Sequence, residues 1–153
     1  MDARQFEESF SELTHFKKNQ FHPLVCITGK PMIGRRVYIG AFSEINAKDA
    51  SVTIGDDCDI ASFVSINCAD SHLRCIEQQT HVARKTIVLQ HNVFVGSHSV
   101  IKGGALIGHH TVVAAGTVVD EAEIPPFSLV SGNPMRIRAG YYKKKRAEHS
   151  DSA

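Results

Sequence analysis

Between Leu89 and Val119 an aliphatic side chain returns at every sixth position: Leu89, Val95, Ile101, Ile107, Val113 and Val119. A helix repeats its buried face about every 3.6 residues and a strand every 2, so a count of six fits neither as one continuous element. The same count runs through Ile27, Ile33, Ile39 and Ile45, and after an irregularity over 48–53 through Ile54, Ile60 and Ile66. It breaks over 67–86, a stretch that holds His72 and His81, and Val130 rejoins it near the end. Glycine follows the aliphatic in Ile33-Gly34, Ile39-Gly40 and Ile54-Gly55, and slim residues stand two places ahead of it in Val93, Ser99, Ala105, Thr111 and Thr117. This is the hexapeptide pattern of a parallel β-helix, in which each hexad supplies one short strand and one turn and three hexads close a triangular coil. Four to five coils are expected, stacked into a prism roughly 20–25 Å tall at the inter-strand spacing of about 4.8 Å. A sandwich rich in Ile and Val has no reason to hold six successive hexads in step.

The rest of the chain is read around that solenoid. Residues 1–22 are expected to form a capping helix, because Phe6, Phe10, Leu13 and Phe16 fall on one helical stripe. Residues 23–133 are the β-helix with its inserted loop at 67–86, and 134–153 are expected to form a short C-terminal helix and a basic tail. Both open ends of a solenoid need cover, and these two segments are assigned to it. A length of 153 residues suits one domain, and 17 basic against 16 acidic residues leave no field that would attract nucleic acid. The basic run Lys143 to Arg146 reads as a solvated tail. No apolar run approaches the roughly 18 residues of a membrane span and no signal-peptide pattern opens the chain, so a cytoplasmic protein is expected. Cys26, Cys58, Cys68 and Cys75 lack CxxC spacing and read as small buried thiols rather than zinc ligands or a redox pair.

Three stretches carry a family resemblance: IGDDCDIASFVSINCADSH (54–72), VFVGSHSVIKGGALIGHHTVVAAGTVV (93–119) and IPPFSLVSGNPMRIR (124–138). They resemble the hexapeptide-repeat acyltransferases, in particular the small sugar and xenobiotic O-acetyltransferases. The resemblance implies an all-β fold, a single-stranded left-handed parallel β-helix, and a homotrimer with active sites between subunits. It also implies acetyl-CoA as co-substrate, lying along the cleft between neighbouring prisms, with no metal required. The left hand rests on the resemblance alone, because ordinary parallel crossovers prefer the right.

Acyl transfer from a thioester to a hydroxyl needs a base, oxyanion donors and a cleft that aligns two substrates. The resemblance places the base on a loop histidine after the hexad Ile54 to Ala61, which here is His72. Asp70 either orients that imidazole or contacts the acceptor. Asn67 either binds acceptor hydroxyls or serves as a turn residue. His81 is the reserve base, and Arg84 and Lys85 either face an anionic part of the acceptor or belong to a solvated turn. On the donor side, Gly96, Ser97, Ala114 and Ala115 occupy turns that in such enzymes run beside the pantetheine arm, where small residues let a thin chain approach backbone. Arg136 and Arg138 are candidates for the CoA phosphates, since a guanidinium fork suits phosphate oxygens. The acidic stretch Asp120-Glu121 stands where relatives carry a lysine near the nucleotide, and Lys102 or the C-terminal lysines are candidate replacements.

His98, His109 and His110 raise a zinc reading. It fails on spacing, and adjacent His109 and His110 are expected to point to opposite sides of a strand. The expected function is O-acetylation of a carbohydrate or related small molecule, with a sugar or sugar-nucleotide acceptor. The alternatives are N-acetylation of a nucleotide-linked amino sugar in surface-polysaccharide synthesis and a non-catalytic scaffold.

Overall fold

The computed structural model describes residues 1–14, 16–21 and 23–143. From Cys26 to Ser131 the chain winds through short parallel strands that stack into three sheets, one for each face of a triangular prism. Each face carries one aliphatic column. On the first, Ile27, Ile45, Ile66, Ile101 and Val119 pair in register. On the second the column is Ile33, Ile54, Leu89, Ile107 and Ile124. On the third it is Ile39, Ile60, Val95, Val113 and Val130. Five rungs per face mean five coils. Apart from the half-exposed Ile27 and Ile33 of the first coil, every member is buried. Side chains alternate across a strand, so the residues flanking each column point outward, and these outer positions carry the chemistry described below.

Two ahead of four column members stand Ser99, Thr111, Thr117 and Ser128, which are buried too, and their hydroxyls solve a backbone problem. At a tight corner some N–H and C=O groups cannot reach the next coil, and leaving them unpaired inside would cost about 1–3 kcal/mol each. Ser99 Oγ and Thr117 Oγ1 donate to the Ala114 carbonyl at 3.0 and 2.6 Å, while the Thr117 and Gly132 N–H groups donate to Ser99 Oγ and Thr117 Oγ1. Ser128 Oγ and Thr111 Oγ1 treat the Pro125 carbonyl in the same way. Among the described residues no buried side-chain N or O lacks a partner.

Three expectations are revised here. The N-terminal helix α1 forms over Ala3–Thr14, with the Phe10 ring in contact with those of Phe6 and of Phe16 beyond the helix end, yet none of its residues is buried. Phe21, in the segment between α1 and the first strand, packs on the core instead. At the other end, Arg136–Arg138 is a strand rather than part of a helix. It pairs antiparallel with Leu129–Ser131 and so covers the last parallel strand of the third face. The remainder of the expected C-terminal helix and tail, from residue 144, lies outside the described residues. The four cysteines are free, but only Cys58 and Cys68 are buried; Cys26 is half-buried and Cys75 is exposed.

The column geometry sets a stability test. Ile101 is fully buried in the middle of its column, so Ile101→Ala is expected to lower the unfolding free energy by about 3 kcal/mol, read from urea denaturation. A loss below about 1 kcal/mol would show that the column does not carry the fold.

Candidate active site

The break in the count is a folded arm. After Ser65–Asn67 on the first face the chain leaves the prism at a corner, and it returns at Ile87–Leu89 on the second face. Ala69–Asp70 pairs antiparallel with Ala83–Arg84, which ties the arm at its base. A short turn of helix, α2 (His72–Cys75), follows directly. The arm leans over a tight corner of the coil above it: a Cβ at Gly103 would stand 2.8 Å from the Cys68 carbonyl oxygen, so only glycine fits there.

Between arm and prism lies a cleft of about 700 Å³ whose wall includes Asn67, Asp70, His72, Lys85, Lys102, Asp120 and Glu121. Asp70 Oδ1 accepts two hydrogen bonds from His72, one from its backbone N–H at 3.1 Å and one at Nδ1 at 2.5 Å. An ionised carboxylate only accepts, so Nδ1 carries the hydrogen and the lone pair of a neutral His72 sits on Nε2. The His72 side chain is 66% exposed, open to a substrate. Those hydrogen bonds from the His72 ring and backbone hold the Asp70 carboxyl below the usual carboxylate range, and the charges of His72 and Lys102 add to the effect.

One stacked column supplies the opposite wall from Asn67 upward. Asn46, Asn67, Lys102 and Asp120 follow one another up the outer side of the first face, each on the next coil. Asn67 Oδ1 accepts from Asn46 Nδ2 at 3.1 Å and from the Ala69 N–H at 2.9 Å, so this side chain anchors the start of the arm. Lys102 Nζ donates to Asp120 Oδ1 at 2.9 Å, and its ammonium pKa is raised by that bond and by the Asp120 and Asp70 charges. Lys85 pairs with Glu121 beside it.

The other candidates lie elsewhere. His81 is exposed on the arm and does not line the cleft. Arg84 donates to the Lys48 carbonyl at 2.7 Å and faces Asp49 at 4.0 Å, which braces the arm against the coil below. Gly96 and Ser97 stack under Ala114 and Ala115 at a different corner, so close that a Cβ on Gly96 would stand 2.5 Å from the Ala115 nitrogen. Arg136 and Arg138 are exposed on the closing strand. Within one chain, none of these six lines the His72 cleft. Lys85, expected with Arg84 to face the acceptor or a solvated turn, does line the cleft, whereas Asp120 and Glu121 are cleft residues that the motif reading did not place there. The signal for Asp120 is its offset of one 18-residue coil from Lys102.

His98, beside Gly96 and Ser97, stacks on Phe63 with ring centroids 4.9 Å apart, while His91, His109 and His110 gather at a third corner. His91 stacks on His109 with ring centroids 4.8 Å apart, and His109 and His110 bring their Nδ1 atoms to 2.9 Å. They occupy a corner and not a strand, with His110 at φ +54°, which is why these neighbours do not diverge as expected. Among the described residues no group of three or more His, Cys, Asp or Glu side chains is arranged to hold a metal ion. No helix among them is long and apolar enough to cross a membrane.

With this geometry in view, the comparisons are specific. The family model described as the hexapeptide repeat of succinyl-transferase matches residues 32–68 and 90–121. A polysialic acid O-acetyltransferase of Escherichia coli O1:K1 is 40% identical over 110 residues, which cover 71% of this chain and 36% of the relative. The chain carries hexapeptide repeats and is homologous to that O-acetyltransferase over those 110 residues. It spans about a third of that relative's length. A galactoside acetyltransferase solved with coenzyme A superposes with a TM-score of 0.70 at 27% identity, covering 94% of this chain and 74% of its own. The polySia specific acetyltransferase gives 0.63 at 32%, covering 72% and 48%. The fold is thus the left-handed parallel β-helix that the resemblance implied.

Asn67 meets two donors, and truncating it leaves both without their acceptor. Asn67→Ala is expected to cost about 1–2 kcal/mol in urea denaturation, the scale of lost hydrogen bonds at a partly buried site. An unchanged midpoint would mean that Asn67 does not anchor the arm.

Proposed function

We propose that the chain transfers an acetyl group from acetyl-CoA to a hydroxyl of a carbohydrate, with His72 as general base. The observation that carries this reading is the contact of His72 Nδ1 with Asp70 Oδ1 inside a substrate-sized cleft, which leaves Nε2 as the basic atom. Nε2 takes the proton of the acceptor hydroxyl while its oxygen forms a bond to the thioester carbonyl carbon. Collapse of the tetrahedral intermediate breaks the C–S bond, and the leaving CoA thiolate receives the proton back from the imidazolium. Asp70 keeps the imidazole in the productive tautomer and stabilises its charged form.

The donor candidates Gly96, Ser97, Ala114, Ala115, Arg136 and Arg138 stand away from His72 in a single chain. The reading therefore places the complete site between copies, in a homotrimer where one prism presents its small-residue corner to the arm of the next. A carbohydrate acceptor is supported by the homologues that acetylate polysialic acid and galactosides. Cytoplasmic polysaccharide synthesis would supply an acceptor of that kind.

His72→Ala is expected to lower turnover by at least about a hundredfold, the size of a lost general base, while millimolar acetyl-CoA still raises the melting temperature. Turnover near that of the parent would sink the assignment of His72. No melting shift with acetyl-CoA for either protein would favour a non-catalytic scaffold. Light scattering should give three times the 16.8 kDa chain mass, and a monomer that still turns over would refute the shared site.

A further inference from the structure

The cleft holds more ionic structure than an acetyl transfer needs. Its charged groups are Asp70 and His72 on the arm, Lys85 at the arm's return, Lys102 on the fourth coil, and Asp120 and Glu121 on the fifth. Lys85 and Glu121 neutralise each other. Neither Arg74 on α2 nor Arg84, held by Lys48 and Asp49, lines the cleft. What remains is a row of alternating charge: the imidazole on Asp70, Asp70 facing the same cleft as Lys102, and Lys102 bonded to Asp120.

Two features show that this row is built and not a chance surface pairing. Lys102 and Asp120 occupy the same outward position of consecutive coils, so the register of Ile101 with Val119 fixes their separation. Lys102 is also stacked directly above Asn67, the residue that anchors the arm carrying Asp70 and His72. A cation in that place has a defined electrostatic consequence. A lone carboxylate beside an imidazole favours the imidazolium, which cannot act as a base, and it also becomes easier to protonate as pH falls. A cation close to the carboxylate opposes both effects.

We propose that Lys102, clamped by Asp120, is a positioning residue that keeps Asp70 ionised and limits its hold on the His72 proton, thereby extending the working range of the base toward lower pH. Lys102 acts through Asp70 and does not touch the reacting atoms. Asp120 sets how much of the Lys102 charge reaches Asp70. The inference rests on the reading of His72 as the base.

The signs of two substitutions are opposite, which no loss of structure would produce. In Lys102→Met the compensating charge is gone, so Asp70 titrates at higher pH than in the parent and the acid limb of kcat/KM also moves up. In Asp120→Asn the Lys102 charge is released toward Asp70, and both move down. The expected displacement is about 0.5 pH unit in each direction at low ionic strength, since these groups are partly exposed and screened. It should shrink at 1 M salt, where the Debye length is only about 3 Å. Lys102→Arg keeps the cation and should behave as the parent.

The experiment is carbon-13 NMR titration of the Asp70 carboxyl carbon in the full chain, assigned with Asp70→Asn. Thermal melts of each variant confirm folding, and Lys102→Gln serves as a second neutral variant. Midpoints displaced in opposite senses support the proposal. A midpoint that stays put in both neutral Lys102 variants, or moves the same way in Lys102→Met and Asp120→Asn, overturns it. This readout needs no turnover, so it fails independently of the acetyltransferase reading, which the His72→Ala rates decide.

Discussion

Contact between like aliphatic side chains on successive coils holds the molecule together, and each coil depends on the next for it. A single triangular turn encloses too little apolar surface to offset the entropy of ordering its backbone, roughly 1–2 kcal/mol per residue. Stacked five deep, the columns built on Ile45, Ile66, Ile101 and their counterparts exclude water along the prism axis. Burial on this scale contributes about 25 cal/mol per Å² of apolar surface. The corner hydroxyls of Ser99, Thr111, Thr117 and Ser128 make that burial compatible with a chain that turns every few residues, because they satisfy groups the ladders cannot reach.

The same lattice that makes the core also spaces the chemistry. Outward residues recur at fixed heights, so one column can present Asn46, Asn67, Lys102 and Asp120 in a line without any side chain being steered by a loop. The arm then needs only a two-pair strand contact and a polar anchor to bring Asp70 and His72 against that line. A rigid wall faces a tethered arm, an arrangement that suits the role proposed for His72 as a base meeting an incoming hydroxyl within hydrogen-bond reach.

Much of this was legible from residue order, for a physical reason: where a period is imposed by stacking, counting recovers the core. Every aliphatic position counted in the sequence lies in a column. Ile124 escaped the count because the step from Val119 shrinks from six to five, and the 17-residue offsets Ile107 to Ile124 and Val113 to Val130 show the coil absorbing the deletion. The helix stripe of Phe6, Phe10, Leu13 and Phe16 predicted α1 but neither its end at Thr14 nor its exposure, since amphipathic spacing says nothing of what covers a face. The closing strand at Arg136–Arg138 lacked any periodic signal, because one antiparallel strand across a sheet edge repeats nothing. At the site, the broken count marked a stretch with two histidines and the resemblance singled out His72, whereas its pairing with Asp70 depends on the chain leaving extended geometry at Ser71, where φ is −114° and ψ is 5°. Lys102 and Asp120 were visible as residues, and their partnership becomes readable only when offsets of one coil are treated as contacts.

The arm has a final consequence in its register. Ile66 and Ile101 are neighbours on one face and Ile54 and Leu89 on another, although the excursion separates each pair by 35 residues. The coils above and below therefore meet as though the arm were absent. Closing a longer excursion costs only about 0.6 kcal/mol for each doubling of its length, so the solenoid is largely indifferent to what hangs from that corner. Evolution, or a protein engineer, can exchange the arm as a cassette and change what approaches the cleft while leaving the spine unaltered.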